Sequence, residues 1–173
     1  KYTQIAMLTV ELAILKVLEE KGINSSVNAG LSLGEYAALT ASGGLSIHDA
    51  LELIVKRGAI MQEAVPTGGA MMAIMGLDNN IIEDICEKTE GIVSIANYNC
   101  PGQTVISGEE EAVKNASVAL QKAGAKRCIP LNVSGPFHSK MLEEAGKKLA
   151  VELEKVEIRE IATPYISNVT ADY

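Results

Sequence analysis

The stretch Gly30-Leu31-Ser32-Leu33-Gly34 decides how the rest of the sequence is interpreted. It reads Gly-x-Ser-x-Gly, which is typical of a sharp turn between a strand and a helix with an exposed serine hydroxyl at its apex. Val27-Asn28-Ala29 can end the strand, and the residues after Gly34 can open the helix. We call residues 30–34 the elbow and expect a side chain at either glycine to crowd it. A glycine-rich turn whose serine only caps the helix is the alternative.

Composition narrows the class of protein. The chain has 173 residues, of which 47% are hydrophobic and 21% are charged, which suits a globular domain with a substantial core. The formal net charge of −7 argues against a general nucleic-acid binder, because no excess of basic residues exists to neutralise phosphates. No apolar run approaches the roughly 20 residues that span a membrane. Cys86, Cys100 and Cys128 are widely spaced and form no metal-binding pattern, so we expect a cytoplasmic protein without a metal site.

Periodicity predicts alternating helices and strands, and therefore an α/β protein. Helices are expected at about residues 3–21, 35–42, 46–64, 79–89, 109–123 and 139–156. Strands are expected at residues 27–29, 71–75, 91–96, 104–107, 127–131 and 165–167. Residues 70–131 thus have the order β-α-β-β-α-β, which is that of a ferredoxin-like unit. Ser46, with Asp49 three residues later, predicts a capping box at the start of the third helix.

The serine of the elbow needs a base nearby, because a serine hydroxyl is a weak nucleophile. The chain has two histidines, His48 and His138. His48 lies in the first turn of an amphipathic helix, where a surface or capping role is expected. His138 follows a Gly-Pro turn at or just before a helix start, a position that disfavours the imidazolium and leaves the ring able to accept a proton. Both a catalytic base and a helix-capping residue remain open for His138.

Arg57 is the third candidate, and it is one of three arginines in the chain. Its planar guanidinium can bind a carboxylate through two parallel hydrogen bonds. A lone arginine on a helix is also commonly a surface charge, and periodicity alone favours that alternative.

Four motifs in this order resemble the malonyl-CoA:acyl-carrier-protein transacylases of fatty-acid synthesis. They are the elbow with Glu35-Tyr36, Lys56-Arg57-Gly58, the segment from Ala96 to Gln103, and Gly135-Pro136-Phe137-His138-Ser139. Tyr2-Thr3-Gln4 and Ser167-Asn168-Val169-Thr170 are also similar to family sequence. The resemblance covers essentially all 173 residues.

The resemblance implies a mechanism. Ser32 would accept the malonyl group from malonyl-CoA as an ester and pass it to the phosphopantetheine thiol of acyl carrier protein. His138 would be the catalytic base, and Arg57 would bind the malonyl carboxylate. The backbone N–H of Leu33 would be one donor to the oxyanion. No cofactor would be needed beyond the two substrates, and we expect a monomer.

The resemblance also implies a fold. Residues 1–66 and 132–173 would form an α/β-hydrolase-like acyltransferase core, and residues 67–131 a ferredoxin-like subdomain inserted into it. The family usually has histidine before the nucleophile, whereas this chain has Leu31. A Gly-Gln-Gly motif that supplies the family's second oxyanion donor does not occur, and the chain begins at Lys1. We therefore expect this chain to be part of a longer one.

Three other interpretations remain. An acyltransferase domain of a polyketide synthase would share the elbow, and Phe137 fits its malonyl-selective type. A serine hydrolase or lipase would share the elbow but would not need an arginine for an acyl carboxylate. A non-catalytic interaction module would need neither the elbow nor the arginine. Reaction with malonyl-CoA, with a simple ester and with a serine-directed probe distinguishes the three.

Overall fold

The computed structural model describes residues 2–133 and 135–173. Lys1 and Ser134, which fall within the predicted core domain, lie outside the described residues. The helices are α1 (Thr3–Glu20), α2 (Gly34–Ala41), α3 (Ile47–Ala64), α4 (Asn79–Lys88), α5 (Glu110–Lys122) and α6 (Glu143–Leu153). The strands are β1 (Asn28–Ala29), β2 (Gly69–Met75), β3 (Val93–Cys100), β4 (Gln103–Glu109), β5 (Arg127–Pro130) and β6 (Tyr165–Ile166).

The chain forms two compact units, and the first consists of residues 1–60 and 148–173. Its two short strands, β1 and β6, pair in parallel, with Asn28 opposite Tyr165 and Ala29 opposite Ile166. Both the elbow and the segment after β6 therefore leave the same edge of this sheet. The core of the unit is built where α1 and α3 pack together, with α2 against them. Its buried residues are Leu8, Leu12, Leu45, Ala50, Leu53 and Ile54.

The start of α3 has the half of the predicted capping box in which the Ser46 side chain caps the helix. The Asp49 N–H donates to Ser46 Oγ over 3.0 Å, and the Ser46 hydroxyl donates to Asp49 Oδ2 over 2.5 Å. The first bond pairs a backbone donor that the first turn of a helix otherwise leaves without an intrahelical partner, and the second holds the two side chains together. They fix the start of the helix that carries Arg57.

The second unit consists of residues 61–147 and contains a four-stranded sheet in the order β3-β4-β2-β5. Every pairing in this sheet is antiparallel. Helices α4 and α5 pack on one face, over a core of Ile74, Ile82, Cys86, Val93, Ile106, Ala112, Val113, Ala116 and Leu120. The second unit also has a smaller buried cluster, formed by Met71, Ala73 and Val105. Ala96 and Phe137 pack against this cluster.

Two elements differ from the sequence expectation. Strand β3 runs to Cys100, although it was expected to end at Ala96, because it pairs with β4 through the turn at Pro101 and Gly102. Tertiary pairing here overrides the weak strand propensity of asparagine, with two register shifts along the way. The last helix was expected to run to Val156, but a 3₁₀ turn (Lys140–Leu142) precedes α6, which ends at Leu153.

The two glycines of the elbow are not equivalent, which corrects the expectation that both are required. A Cβ on Gly30 would overlap the carbonyl group of Gly34 and the backbone nitrogen of Glu35. A Cβ on Gly34 would meet no heavy atom within 4 Å. The close approach of two backbone segments therefore excludes side chains at Gly30 only.

This difference predicts opposite outcomes for two matched substitutions. Gly30→Ala should destabilise the protein by about 1–3 kcal/mol or more, because backbone atoms of the elbow must move to admit the methyl group. Gly34→Ala should change the free energy of unfolding by no more than about 0.5 kcal/mol. Urea unfolding of the complete protein measures both. Equal destabilisation by the two substitutions would contradict the assignment of the close approach to Gly30.

Candidate active site

Ser32 occupies the apex of the elbow, between β1 and α2, and has a φ of +54°. A positive φ is uncommon for a residue that carries a side chain and costs roughly 1–3 kcal/mol. Such strain persists only where the surrounding structure enforces it. The observed conformation favours the nucleophile interpretation of the serine over that of a simple helix cap.

Arg57 reaches the serine from α3. Its Nη2 donates a hydrogen bond to Ser32 Oγ over 2.8 Å, and its Nη1 donates to Gln4 Oε1 over 2.5 Å. Its Cζ lies 5.8 Å from the centre of the Tyr36 ring, within the range of a cation–π contact. The residue is only 7% exposed, so the prediction from periodicity that it is a surface charge is wrong.

The charge on Arg57 is not matched by a carboxylate. Within residues 2–133 and 135–173, no aspartate or glutamate forms an ion pair with it. Burial lowers the pKa of Arg57 and raises the pKa of Tyr36, and the charge of Arg57 opposes the change at Tyr36. An arginine remains protonated under these conditions, and the nearby negative charge of Glu35 favours the protonated form without forming an ion pair with it.

Leu33 has φ −58° and ψ −43°, so it already has a helical backbone conformation. Its N–H belongs to the first turn of α2, where helix donors have no intrahelical acceptor. Such N–H groups can stabilise a negative charge that develops on an acyl group held at the preceding serine. The role of Leu33 as an oxyanion donor stays a prediction. Leu31, which stands where the family usually has histidine, is 63% exposed.

Sequence reasoning assigned no role to Asn168, yet its side chain contacts the elbow at two points. Its Oδ1 accepts a hydrogen bond from the Ser32 N–H over 2.5 Å, and its Nδ2 donates to the carbonyl oxygen of Gly30. The two residues are 136 positions apart, so no local pattern connects them. Gln4 was missed for the same reason, since it meets Arg57 across 53 positions. The similarity of their short segments to family sequence was the available signal.

His138 lies in the second unit, immediately before the 3₁₀ turn, and is exposed with a φ of +60°. The next residue, Ser139, caps the turn by accepting a hydrogen bond from Met141 N over 3.3 Å. The capping role thus belongs to Ser139, which removes one alternative for His138. Ser32 belongs to the first unit, and its pairing with His138 stays a prediction. His48 is exposed, with Nδ1 3.7 Å from Asp49 Oδ1.

Residues 2–133 and 135–173 contain neither a group of metal-binding side chains nor a membrane-spanning helix. In that part of the chain, no three histidine, cysteine or acidic side chains are grouped so that they could hold a metal ion. None of its helices combines the length and the apolar character that crossing a membrane requires.

Comparison with known proteins identifies the family of the chain. A family model described as "Acyl transferase domain" matches residues 1–173. The chain belongs to the acyl transferase domain family. This confirms the family predicted from the four motifs, and it places the strained serine in a group of proteins named for acyl transfer.

The relatives of this acyl transferase domain carry a more specific name. It is 49% identical over 173 residues to "Malonyl CoA-acyl carrier protein transacylase" of Bacillus subtilis (strain 168), a match that covers 98% of this chain and 55% of that protein. The protein of the same name from Escherichia coli (strain K12) is 47% identical over 171 residues, covering 96% of this chain and 55% of that protein. The chain therefore spans about half the length of the curated relatives it matches.

Solved structures give the same result for the acyl transferase domain. The crystal structure of MCAT from Streptococcus pneumoniae matches with a TM-score of 0.95 and 49% identity, over 99% of this chain and 57% of that one. A structure titled as a type II PKS acyl-carrier protein in complex with its malonyl-transacylase also matches, with a TM-score of 0.95 and 46% identity. That match covers 98% of this chain and 56% of the other. The α/β fold is therefore that of an acyltransferase.

Proposed function

We propose that the protein containing this chain transfers the malonyl group from malonyl-CoA to the phosphopantetheine thiol of acyl carrier protein. The transfer proceeds through a malonyl ester on Ser32 and serves fatty-acid biosynthesis. The names of the relatives support this activity, and the geometry around Ser32 gives it a physical basis.

The observation that carries the proposal is the buried Arg57, which contacts Ser32 Oγ and forms no ion pair with any carboxylate among the described residues. A buried charge without a partner is costly, and a protein retains one where a ligand supplies the opposite charge. In a malonyl ester, the carboxylate carbon is the third atom from the serine oxygen. A guanidinium that already contacts this oxygen is therefore within reach of the carboxylate. Acetyl groups and neutral fatty acyl groups have no charge to offer it.

The proposed reaction has two acyl transfers. Ser32 Oγ attacks the thioester carbonyl of malonyl-CoA while its proton passes to His138, and the coenzyme A thiolate leaves and takes up the proton. The phosphopantetheine thiol then attacks the malonyl ester in the same way and regenerates the serine. The Leu33 N–H donates to the carbonyl oxygen as it becomes negative in each tetrahedral intermediate.

This chemistry changes no oxidation state and transfers only an acyl group and a proton. We therefore propose that coenzyme A thioester and acyl carrier protein are its partners and that no cofactor takes part. A monomeric state, a cytoplasmic location and the absence of nucleic-acid partners stay predictions from the sequence.

We further propose that the fold is an α/β-hydrolase-like core, residues 1–66 and 132–173, with a ferredoxin-like subdomain at residues 67–131. These boundaries differ from those of the two compact units, because residues 61–66 and 132–147 cluster with the second unit. The parallel β1–β6 pair followed by the elbow supports the first part. The sheet order β3-β4-β2-β5, with α4 and α5 packed on one face, supports the second. A protease that cuts near residues 66 and 132 while leaving both parts folded would support these boundaries.

Two other functions compete. In one, the carrier protein belongs to a polyketide synthase, which the structure neighbour with a type II PKS acyl-carrier protein favours. The chemistry at Ser32 is then the same, and the identity of the thiol acceptor distinguishes the two. In the other, water replaces the thiol, as in a serine hydrolase or lipase. Rapid cleavage of simple esters, with slow transfer to carrier protein, would favour the hydrolase.

The covalent intermediate tests the function directly. After brief incubation of the complete protein with malonyl-CoA, mass spectrometry should find a malonyl group on the peptide that contains Ser32. The Ser32→Ala variant should carry none, because among the described residues the Arg57 guanidinium donates to no serine other than Ser32. A malonyl group that remains in Ser32→Ala would refute the assignment of the nucleophile.

Arg57 should determine selectivity for the malonyl group. Arg57→Ala should lower kcat/KM for malonyl-CoA by about 10- to several-thousand-fold, because pairing a buried charge is worth roughly 1.5–5 kcal/mol. Turnover of acetyl-CoA should fall little, and Arg57→Lys should restore part of the malonyl activity. Arg159→Ala, at an exposed arginine, is the matched control. An unchanged ratio of kcat/KM for the two substrates in folded Arg57→Ala would contradict this role.

His138 should act as the base. His138→Ala should slow single-turnover acylation by about 10²–10⁴-fold, which is the usual contribution of general-base catalysis. His48→Ala, at the other histidine, should leave the rate within about twofold, because that side chain is exposed and contacts Asp49. Rapid-quench measurement of malonyl uptake gives both rates. A larger loss of acylation rate in His48→Ala than in His138→Ala would contradict the assignment of His138 as the base.

A further inference from the structure

The backbone of Ser32 lies in the left-handed region, with φ +54°. Without external support, a residue with a side chain would relax towards the more favourable negative-φ regions. The absence of a side chain at Gly30 leaves room for the turn, but it does not hold the Ser32 backbone in place. A group that holds the Ser32 peptide in place is therefore required.

The side-chain amide of Asn168 has the geometry of such a group. Its oxygen accepts the hydrogen bond of the Ser32 N–H, and its nitrogen donates to the carbonyl oxygen of Gly30. One planar amide thus joins the residue two positions before the nucleophile to the nucleophile itself. The side-chain amides of asparagine and glutamine carry an acceptor and a donor on the same planar group.

Asn168 is itself held from two directions. Its backbone N–H donates to Glu35 Oε1 over 3.1 Å, which ties it to the first turn of α2. The loop around it is closed by hydrogen bonds from Ser167 N to the carbonyl oxygen of Asp172 over 3.0 Å and from Ala171 N to the carbonyl oxygen of Ser167 over 2.9 Å. The loop follows β6 and the elbow follows β1, which are neighbouring parallel strands.

We propose that Asn168 is a positioning residue for Ser32, a role that rests on the proposed function. It fixes the strained backbone that presents Oγ, and it occupies the Ser32 N–H. With that donor engaged, the Leu33 N–H is the first amide beyond the serine left to face a developing oxyanion. Asn168 thereby determines both where the nucleophile points and which amide stabilises the negative charge.

Removing the Asn168 side chain should lower the rate of Ser32 acylation and leave the affinity for malonyl-CoA nearly unchanged. Asn168→Ala frees the elbow to relax, and a displacement of about 1 Å in a reacting group can reduce the rate about 100-fold. We expect acylation of Ser32 by saturating malonyl-CoA to slow by about 10- to 100-fold. The half-saturating concentration of malonyl-CoA should change less than about threefold, because Arg57 and its partner Gln4 are left in place. Asn168→Asp keeps the acceptor for the Ser32 N–H and should retain more of the rate than Asn168→Ala.

The experiment uses the full-length protein and three variants, Asn168→Ala, Asn168→Asp and Val169→Ala. Val169 is the next residue in the same loop and is 92% exposed, so its substitution is the matched control. Single-turnover acylation is measured against malonyl-CoA concentration. A serine-directed phosphonofluoridate is used in parallel to count active sites and to measure the reactivity of Ser32 without a malonyl group. Thermal unfolding reports the folded fraction.

The proposal is supported if the rate per active site falls in Asn168→Ala while the half-saturating concentration and the Val169→Ala rates are unchanged. It is overturned if the rate per active site in Asn168→Ala equals that of the unaltered protein, including the case in which only the number of active sites falls. If the unaltered protein takes up no malonyl group, the proposed function fails. Slower phosphonofluoridate labelling of Asn168→Ala than of the unaltered protein would then still support the positioning role of Asn168, and equal labelling of the two would overturn it.

Discussion

A positive φ at a residue with a side chain is the constraint on which the first unit depends. Ser32 can present its hydroxyl only because the turn around it is enforced by its neighbours. Gly30 leaves room for the backbone of α2, and the parallel strands β1 and β6 bring the loop of Asn168 to the same sheet edge. Each neighbour contributes a different kind of restraint, namely the absence of a Cβ, strand pairing and side-chain hydrogen bonding. The strain at one residue thus explains features that lie far apart in the sequence.

Arg57 illustrates the conflict between stability and function. Its side chain is nearly buried, and the described residues provide it with an amide oxygen, a hydroxyl and an aromatic ring, whereas Glu35 acts on it through its charge without an ion pair. Those neutral groups satisfy its hydrogen bonds without cancelling its charge. An internal carboxylate would stabilise the folded protein more and would compete with an anionic acyl group. Among the described residues, the charge of Arg57 is therefore left without an ion-paired carboxylate.

The sequence predicted the order of the helices and strands well, because periodicity and capping signals such as Ser46 with Asp49 are local. It also selected Ser32 and Arg57, since both stand in short motifs. The structure then corrected the expectation for Gly34 and extended β3 to Cys100, because both depend on what a residue meets across the fold. Asn168 acts through contacts 136 positions away, and no local pattern encodes such a distance. The partnership of Ser32 with His138 likewise rests on family resemblance.

The pairing of β1 with β6 also has a consequence for how the protein folds. In the sequence, the second unit, residues 61–147, lies between the two strands, so the contact between the elbow and Asn168 joins residues 136 positions apart. Contacts of this kind form late, because loop-closure entropy must be overcome first. During synthesis, the serine emerges from the ribosome long before the asparagine that holds it. An incomplete chain therefore carries Ser32 without the contacts that hold its backbone at positive φ, and the elbow takes its final shape only once the segment after β6 has been made.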